Sequence, residues 1–250
     1  MNKTPFACAR GGLTIRGDMY RASDEPMEAV ILCHGFGVNR KSVSHFAEYI
    51  STLGFACFAF DFCGGGLGVE SDGDSADMTV FTEIEDLLAV ISYVSAQKNI
   101  KNVSLLGCSQ GGFVSALTAK KLGNERIKRL MLFFPALCIP DHARRGQMLS
   151  YRFDSRCIPD RLGDDPMPLG GDYARTVAGM DAYKEISGYT GQTLIIHGTA
   201  DDIVDISYAR RARSCYPGCA YHEIEGAGHG FWGEQNAEAK RYIASFLYQN

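Results

Sequence analysis

The sequence has no excess of positive charge and no long apolar run. Its 25 lysine and arginine residues are outnumbered by 29 aspartate and glutamate residues, which gives a net charge of −4. That balance offers no electrostatic attraction for nucleic acid or for an anionic membrane. No window approaches the roughly 20 apolar residues that a membrane-spanning helix needs. We therefore expect neither nucleic acid nor a membrane as partner.

Closely spaced metal or redox motifs are also missing. The nine cysteines are scattered and form no C-x-x-C pair, and the six histidines lack the close spacing of a zinc site. Residues 1–10 contain no apolar core of a signal peptide. We therefore expect reduced thiols, a cytoplasmic location, and no metal or cofactor.

The glycine-rich run Gly64-Gly65-Gly66-Leu67-Gly68 does not change that expectation. It lacks the Gly-Lys-Ser/Thr of a phosphate-binding loop, and no helix pattern follows it directly. It is typical of a mobile loop at the rim of a site.

Strand and helix patterns alternate along the chain, which at 250 residues fits a single domain, residues 1–250. Residues 4–20 predict a β-hairpin, and further strands are predicted near 29–33, 55–60, 103–107, 130–134, 193–197 and 220–224. Helices are predicted at 42–52, 79–96, 110–122, 206–215 and 234–248. This alternation favours a mostly parallel central sheet flanked by helices. The long segment 135–189 breaks it and predicts an inserted lid over the site.

The most informative motif is Gly107-Cys108-Ser109-Gln110-Gly111, which fits G-x-S-x-G. An apolar strand pattern precedes it and a helix pattern follows it, the context of a nucleophile elbow. The elbow holds a serine on a sharp turn with its hydroxyl exposed. The alternative is a serine that caps the following helix.

An acid and a histidine follow in the chain order of α/β-hydrolases. Asp201 comes after the strand predicted at 193–197, and His229 lies in a glycine-rich loop after 220–224. Asp202 is the rival acid, and either aspartate could instead cap the helix predicted from Ile206. Of the other histidines, His34 and His197 are interpreted as structural and hydrogen-bonded near the site, and His45 as an ordinary helix residue.

Two backbone amides complete the candidate site. The buried-strand pattern 29–33 leads into His34-Gly35-Phe36-Gly37, the loop in which this fold places an oxyanion donor. The N–H groups of Phe36 and Gln110 are therefore predicted to bind the oxyanion.

Several non-catalytic stretches are similar to one family. They are Phe60-Asp61-Phe62, Asp77-Met78-Thr79-Val80, Glu83-Ile84-Glu85-Asp86, Ser109-Gln110-Gly111-Gly112, Ile158-Pro159-Asp160-Arg161-Leu162 and Leu169-Gly170-Gly171. With the triad candidates, they make the chain resemble α/β-hydrolases, and more narrowly the bacterial cinnamoyl and feruloyl esterases. Two departures lie near the site: Cys108 stands where that pattern has a histidine, and the run 63–66 replaces Arg-Gly-His-Gly.

The resemblance implies an ester of a hydroxycinnamic acid, such as ferulate or p-coumarate, as the small-molecule substrate. It also implies that the lid holds the phenolic ring, with Asp141, Gln147 and Tyr173 as candidate contacts to a ring hydroxyl.

The expected activity is hydrolysis of a carboxylic ester through an acyl-enzyme on Ser109. A general short-acyl or monoacylglycerol esterase is the alternative within enzymes, and a peptidase comes third. A non-catalytic binding protein on the same fold is the alternative outside enzymes, because fold alone does not fix chemistry. A homodimer is left open.

Overall fold

An eight-stranded sheet runs through the centre of the computed structural model, which describes residues 2–23, 25 and 27–249. Its strands are β1 Asn2–Arg10, β2 Leu13–Arg21, β3 Met27–Cys33, β4 Ala56–Phe60, β5 Ile100–Cys108, β6 Arg129–Phe133, β11 Gln192–Gly198 and β12 Ala220–Ile224. Their spatial order is β1-β2-β4-β3-β5-β6-β11-β12. The β1–β2 hairpin is antiparallel and β2 pairs antiparallel with β4, whereas the pairs from β4 through to β12 are parallel.

Five helices pack on the two faces of this sheet. They are α1 Ser44–Thr52, α2 Val80–Ser95, α3 Gln110–Leu122, α7 Ser207–Ala212 and α8 Gly233–Leu247. One apolar layer joins α1 and α8 to one face, and a second layer joins α2, α3 and α7 to the other. The central strands β3 and β4 are buried along most or all of their length, as expected where helices cover both faces.

The chain between β6 and β11 adds no strand to the central sheet. We call residues 135–189 the inserted segment. It contains α4 Ile139–Arg144, β7 Gln147–Met148, β8 Tyr151–Arg152, β9 Arg161–Leu162, β10 Leu169–Gly170, α5 Gly171–Arg175 and α6 Ala182–Ile186. Its short strands pair as β7–β8 and β9–β10.

Arg40 links the β1–β2 hairpin to the loop that follows β4. Its guanidinium donates to Asp18 on β2 at 2.8 Å, to Asp61 just after β4, and to Glu70 at 2.8 Å. Arg40 and Asp61 are both buried, so removing Arg40 would leave the buried Asp61 carboxylate without its ion-pair partner.

Within residues 2–23, 25 and 27–249, no helix is both long and apolar enough to span a membrane.

Candidate active site

Ser109 lies on a sharp turn between the end of β5 and the start of α3. Its backbone has φ 53° and ψ −120°, a conformation that side-chain-bearing residues rarely adopt. Its side chain makes no capping hydrogen bond to α3, which argues against the helix-cap interpretation. Close backbone approach explains a flanking glycine: a Cβ on Gly111 would lie 2.3 Å from the His34 carbonyl oxygen. The hydroxyl is thus held away from the helix that follows it.

His229 bridges Ser109 and Asp201. Its Nε2 lies 2.8 Å from Ser109 Oγ, and its Nδ1 lies 2.8 Å from Asp201 Oδ2. With the proton on Nδ1, His229 donates to the carboxylate and accepts from the serine hydroxyl, the tautomer that a general base needs. The ring of Phe134 packs against the imidazole, with centroids 4.7 Å apart. The structure therefore brings the three predicted catalytic residues together.

The carboxyl group of Asp201 is fully buried and multiply hydrogen-bonded. Its Oδ1 accepts from the N–H groups of Ile203 at 3.0 Å and Val204 at 2.9 Å. His197 Nε2 lies 3.1 Å from Oδ2 and 2.9 Å from the Val204 carbonyl oxygen. Burial opposes ionisation, but the bonds from His197, His229 and Val204 outweigh it and hold the pKa of Asp201 well below its usual range. Asp201 is thus a carboxylate at neutral pH.

Asp202 lies at the surface, whereas His34 and His197 are buried near the site. Asp202 is exposed, and it is its neighbour Asp201 that faces His229. His34 is buried, and its Nε2 accepts from the Phe62 N–H at 3.1 Å while its Nδ1 donates to the Gly35 carbonyl at 2.7 Å. His34 and His197 are therefore hydrogen-bonded within the fold, as predicted.

The two predicted oxyanion amides flank Ser109. Gln110 is the first residue of α3, so its N–H has no partner within the helix. On the other side, a Cβ on Gly35 would lie 3.1 Å from Ser109 Cβ and 3.6 Å from its Oγ. The backbone that leads into Phe36 therefore passes directly beside the serine.

The glycine-rich run after β4 packs against residues 37 and 38, directly after Phe36. Gly37 N–H donates to the Gly65 carbonyl at 3.2 Å, and Leu67 N–H donates to the Gly37 carbonyl at 3.3 Å. A Cβ on Gly66 would lie only 1.6 Å from the Val38 carbonyl oxygen. Gly64 and Gly65 are buried. The interpretation of this run as a rim loop is therefore wrong for Gly64 and Gly65, because the glycines of the run allow close backbone contact with residues 37 and 38.

The Gln110 side chain joins a buried polar cluster behind the elbow. Tyr173 Oη donates to Gln110 Oε1, and Gln110 Nε2 lies 3.6 Å from Met78 Sδ. Glu83 on α2 is also buried beside Gln110, and its Oε2 has no hydrogen-bond partner among the described residues. Burial raises the pKa of Glu83 well above its usual range, and the nearby Asp86 raises it further. Nothing in the sequence pattern beyond an acidic residue within an apolar helix pointed to this cluster.

The three predicted ring contacts are placed in different surroundings. Tyr173 is buried, and its hydroxyl is bonded to Gln110 beside the elbow. Asp141 accepts from Tyr208 Oη at 2.9 Å and pairs with Arg144, in a separate surface depression. Gln147 Nε2 donates to the Leu149 carbonyl at 3.1 Å. The structure therefore brings Tyr173, but not Asp141 or Gln147, next to the elbow.

A cavity of about 220 Å³ opens onto Ser109 and His229. Its wall is mostly apolar and is lined by Gly35, Phe36, Val38, Ser42, Val43, His45, Phe46, Cys108, Ser109, Phe134, His229, Gly230, Phe231 and Trp232. Sequence reasoning missed the contribution of residues 42–46, because a helix pattern does not reveal which of its residues face a distant loop. The prediction that His45 is an ordinary helix residue is therefore wrong in part.

Cys108 and Cys63, which lie at the two departures from the family pattern, are uncharged thiols. Cys108 is buried at the cavity wall, where burial raises the pKa of its thiol. Burial raises the pKa of Cys63 to about 12, and Asp86 adds to that effect.

No group of three or more His, Cys, Asp or Glu side chains in the described ranges could hold a metal ion.

The family assignment follows from a model match over more than half of the chain. Residues 24–176 match the family described as serine aminopeptidase, S33, so the chain belongs to this family of α/β-hydrolases. The matched range includes Ser109 but neither Asp201 nor His229. A protein of Mycoplasma pneumoniae named as an esterase/lipase is 32% identical over 105 residues, which is 42% of this chain and 37% of that protein. The chain therefore matches only about a third of that relative's length.

Solved structures match over almost the whole chain. Est1E from Butyrivibrio proteoclasticus, solved with ferulic acid bound, is 26% identical and covers 98% of this chain and 100% of its own, with a TM-score of 0.89. A second structure of Est1E gives 25% identity, coverage of 98% and 99%, and a TM-score of 0.86. These likenesses confirm the predicted α/β-hydrolase fold.

Proposed function

We propose that the protein is a serine hydrolase of carboxylic esters that works through an acyl-enzyme. The observation that carries the proposal is the chain of contacts from Ser109 Oγ through His229 to the buried carboxylate of Asp201, at 2.8 Å for each step. An exposed hydroxyl on an elbow, with a neutral imidazole oriented by a carboxylate, is the arrangement that activates a serine for acyl transfer.

In the acylation step, Ser109 Oγ attacks the ester carbonyl carbon while His229 Nε2 takes the hydroxyl proton. The carbonyl π electrons move to the oxygen, which the N–H groups of Phe36 and Gln110 stabilise. Each such donor is worth about 2.7–4 kcal/mol of barrier. The tetrahedral intermediate then collapses, the bond from carbon to the alcohol oxygen breaks, and His229 gives its proton to the departing alcohol.

Deacylation repeats these steps with water in place of the serine. His229 Nε2 takes a proton from water as the water oxygen attacks the acyl carbon. Collapse of the second intermediate breaks the bond to Ser109 Oγ, which takes back the proton from His229. Asp201 stabilises the imidazolium in both halves without itself becoming protonated.

The cavity beside Ser109 offers a poor site for the amino-terminal residue of a peptide. The family is described as aminopeptidases, and the same triad chemistry serves both reactions. An aminopeptidase must hold a protonated amine, for which a carboxylate is the natural partner. Among the described residues that line this cavity there is no aspartate or glutamate, so an amine held there would lack that partner.

For the acyl group we propose a hydroxycinnamic acid such as ferulic acid. Support comes from the whole-chain likeness to Est1E, which was solved with ferulic acid bound. Asp141, Gln147 and Tyr173 stay predictions as ring contacts, and each is hydrogen-bonded within the protein as the structure stands. A general short-acyl or monoacylglycerol esterase is the alternative.

The test of the activity compares an ester with an amide. Wild type should hydrolyse p-nitrophenyl acetate at a rate that Ser109→Ala loses, down to a residual of about 10³–10⁴ over water. It should cleave an aminoacyl p-nitroanilide far more slowly. Faster cleavage of the anilide would replace the esterase proposal with a peptidase, and no Ser109-dependent turnover of either would indicate a binding protein.

The acyl preference needs a second comparison. The ratio of kcat/KM for methyl ferulate to that for an aliphatic methyl ester of similar size should favour the ferulate. A ratio near one, with both esters turned over, would support the general esterase instead.

For location, we propose a reducing compartment such as the cytoplasm. All nine cysteines are free thiols in the structure, as such a compartment would keep them. Localisation of the tagged protein in fractionated cells would test this.

A further inference from the structure

We propose that the cavity beside His229 binds the alcohol part of the ester, and that this alcohol is an aromatic or alkyl alcohol rather than a sugar. The inference rests on the proposed esterase activity and adds to it the class of leaving group.

The position of the cavity relative to His229 assigns it to the alcohol. In the acylation step the alcohol oxygen must come within hydrogen-bond reach of His229 Nε2 to receive its proton. The group attached to that oxygen therefore leaves along the His229 side of the site. The three residues that follow His229, Gly230 to Trp232, line the cavity together with His229 itself. A leaving alcohol would occupy this space.

The wall of the cavity sets the chemistry of its occupant. Val38, Val43, Phe46, Phe134, Phe231 and Trp232 supply apolar surface. Beyond Ser109 and His229, the polar side chains of the wall are a cysteine thiol, the Ser42 hydroxyl and the His45 ring. Burial lowers the pKa of His45 and the nearby Lys240 lowers it further, so this ring is neutral at neutral pH. A sugar would lose water from many hydroxyls here and find few partners.

The cavity also has a suitable size. Its volume of about 220 Å³ exceeds the roughly 150 Å³ of an engineered apolar cavity that binds benzene. One aromatic ring or a medium alkyl chain therefore fits. No residue of the inserted segment lines this cavity, so the alcohol would not compete with an acyl group held by that segment.

Trp232 offers a means of testing the assignment without disturbing the core. It is 77% exposed, and a Cβ on Gly230 would lie 3.4 Å from its indole nitrogen, so the ring lies over Gly230 at the cavity rim. Trp232→Ala removes one wall of the cavity. Phe81 on α2, 42% exposed and not part of the cavity wall, provides Phe81→Ala as a matched control.

The experiment measures kcat/KM for a series of acetate esters in which only the alcohol changes. Wild type should prefer benzyl and hexyl acetate to glyceryl monoacetate. Trp232→Ala should lower kcat/KM for benzyl and hexyl acetate by about three- to tenfold and that for methyl acetate by less. Phe81→Ala should match wild type on all four esters. Val38→Phe, which narrows the opening, should penalise benzyl acetate more than methyl acetate.

Pre-steady-state kinetics separates the alcohol side from the acyl side. The alcohol has left before deacylation, so Trp232→Ala should leave the deacylation rate of the acetyl-enzyme formed from p-nitrophenyl acetate unchanged. A slowed deacylation would assign the cavity to the acyl group and overturn the proposal. Ester turnover with equal preference for glyceryl and benzyl acetate would overturn it while leaving the esterase intact. Failure to hydrolyse any ester would overturn both.

Discussion

Asp201 and Asp202 are neighbours in the sequence, yet they differ completely in environment. The Asp201 carboxyl group is buried against His197 and His229, whereas Asp202 is exposed. The sequence leaves Asp202 as a rival to Asp201, because either aspartate can also cap the helix that follows. Burial and the direction of the side chain, which a local pattern does not encode, distinguish the two.

Because the two aspartates are adjacent, the same substitution at Asp202 serves as a control for that at Asp201. Asp201→Asn should lower kcat for p-nitrophenyl acetate by about 10³–10⁴-fold, because the amide favours the wrong tautomer of His229. Asp202→Asn makes the same chemical change one residue away and should stay within about twofold of wild type. Comparable losses in the two variants would remove Asp201 from its proposed role.

Glu83 makes stability depend on pH in a defined direction. Burial, with a smaller effect of Asp86, raises its folded-state pKa well above the ordinary 4.5, while the hydrogen bond from Gln110 acts the other way. Above that ordinary value the unfolded chain loses the proton that the folded protein keeps. The free energy of unfolding therefore falls as pH rises, by up to about 1.4 kcal/mol per pH unit.

Glu83→Gln, which mimics the protonated side chain, should lack this pH dependence. Urea denaturation between about pH 5 and pH 8 should show the variant gaining stability relative to wild type as pH rises. A difference between the two proteins that does not change with pH would mean that Glu83 has an ordinary pKa.

At the scale of elements, the apolar period locates α2 but misplaces part of its buried face. The 3.6-residue spacing of apolar residues in the sequence predicts that Phe81, Ile84, Leu88, Ile91 and Val94 form one buried face of this helix. In the structure Phe81 is 42% exposed and Leu88 is only partly buried. The buried set instead includes Val80, Glu83, Leu87 and Val90. Because α2 has apolar residues on two adjacent stripes, the elements that pack against it determine which residues are buried. These elements include α3 and the hairpin.

The inserted segment shows the same limit of local pattern. Its many charges and prolines predict where the alternation of strand and helix stops. Its strands are only two residues long, too short to give an alternation signal. The contact from Tyr173 to Gln110 joins residues 63 positions apart, and no local pattern predicts it.

The contact between Tyr173 and Gln110 allows the effect of Tyr173→Phe on kcat/KM to be predicted. The Tyr173 hydroxyl is bonded to Gln110 Oε1, so its removal leaves a buried amide oxygen without that partner, at a cost of about 1–3 kcal/mol. We expect kcat/KM to fall for an aliphatic methyl ester, because Gln110 is predicted to bind the oxyanion of every ester, and to fall further for methyl ferulate, whose ring hydroxyl also loses its predicted contact. Equal losses for the two esters would remove Tyr173 as a ring contact.

At the scale of the whole molecule, strand–helix alternation and the order serine, acid, histidine are enough to predict the fold and the candidate triad. Parallel strands end at one edge of a sheet, so residues that follow β5, β11 and β12 meet there. The cavity is different, because residues 42–46, Phe134 and residues 230–232 converge only through packing. Its shape depends on how α1 sits beside the His229 loop.

We propose that Ser109 carries the acyl group during turnover. The most direct measurement is acid quenching of the protein while it hydrolyses p-nitrophenyl acetate, followed by peptide mass spectrometry. We expect an acetyl group on Ser109 that disappears once the ester is consumed and that is absent from Ser109→Ala. An acetyl group on another residue that turns over at the same rate, or equal turnover by Ser109→Ala, would contradict it.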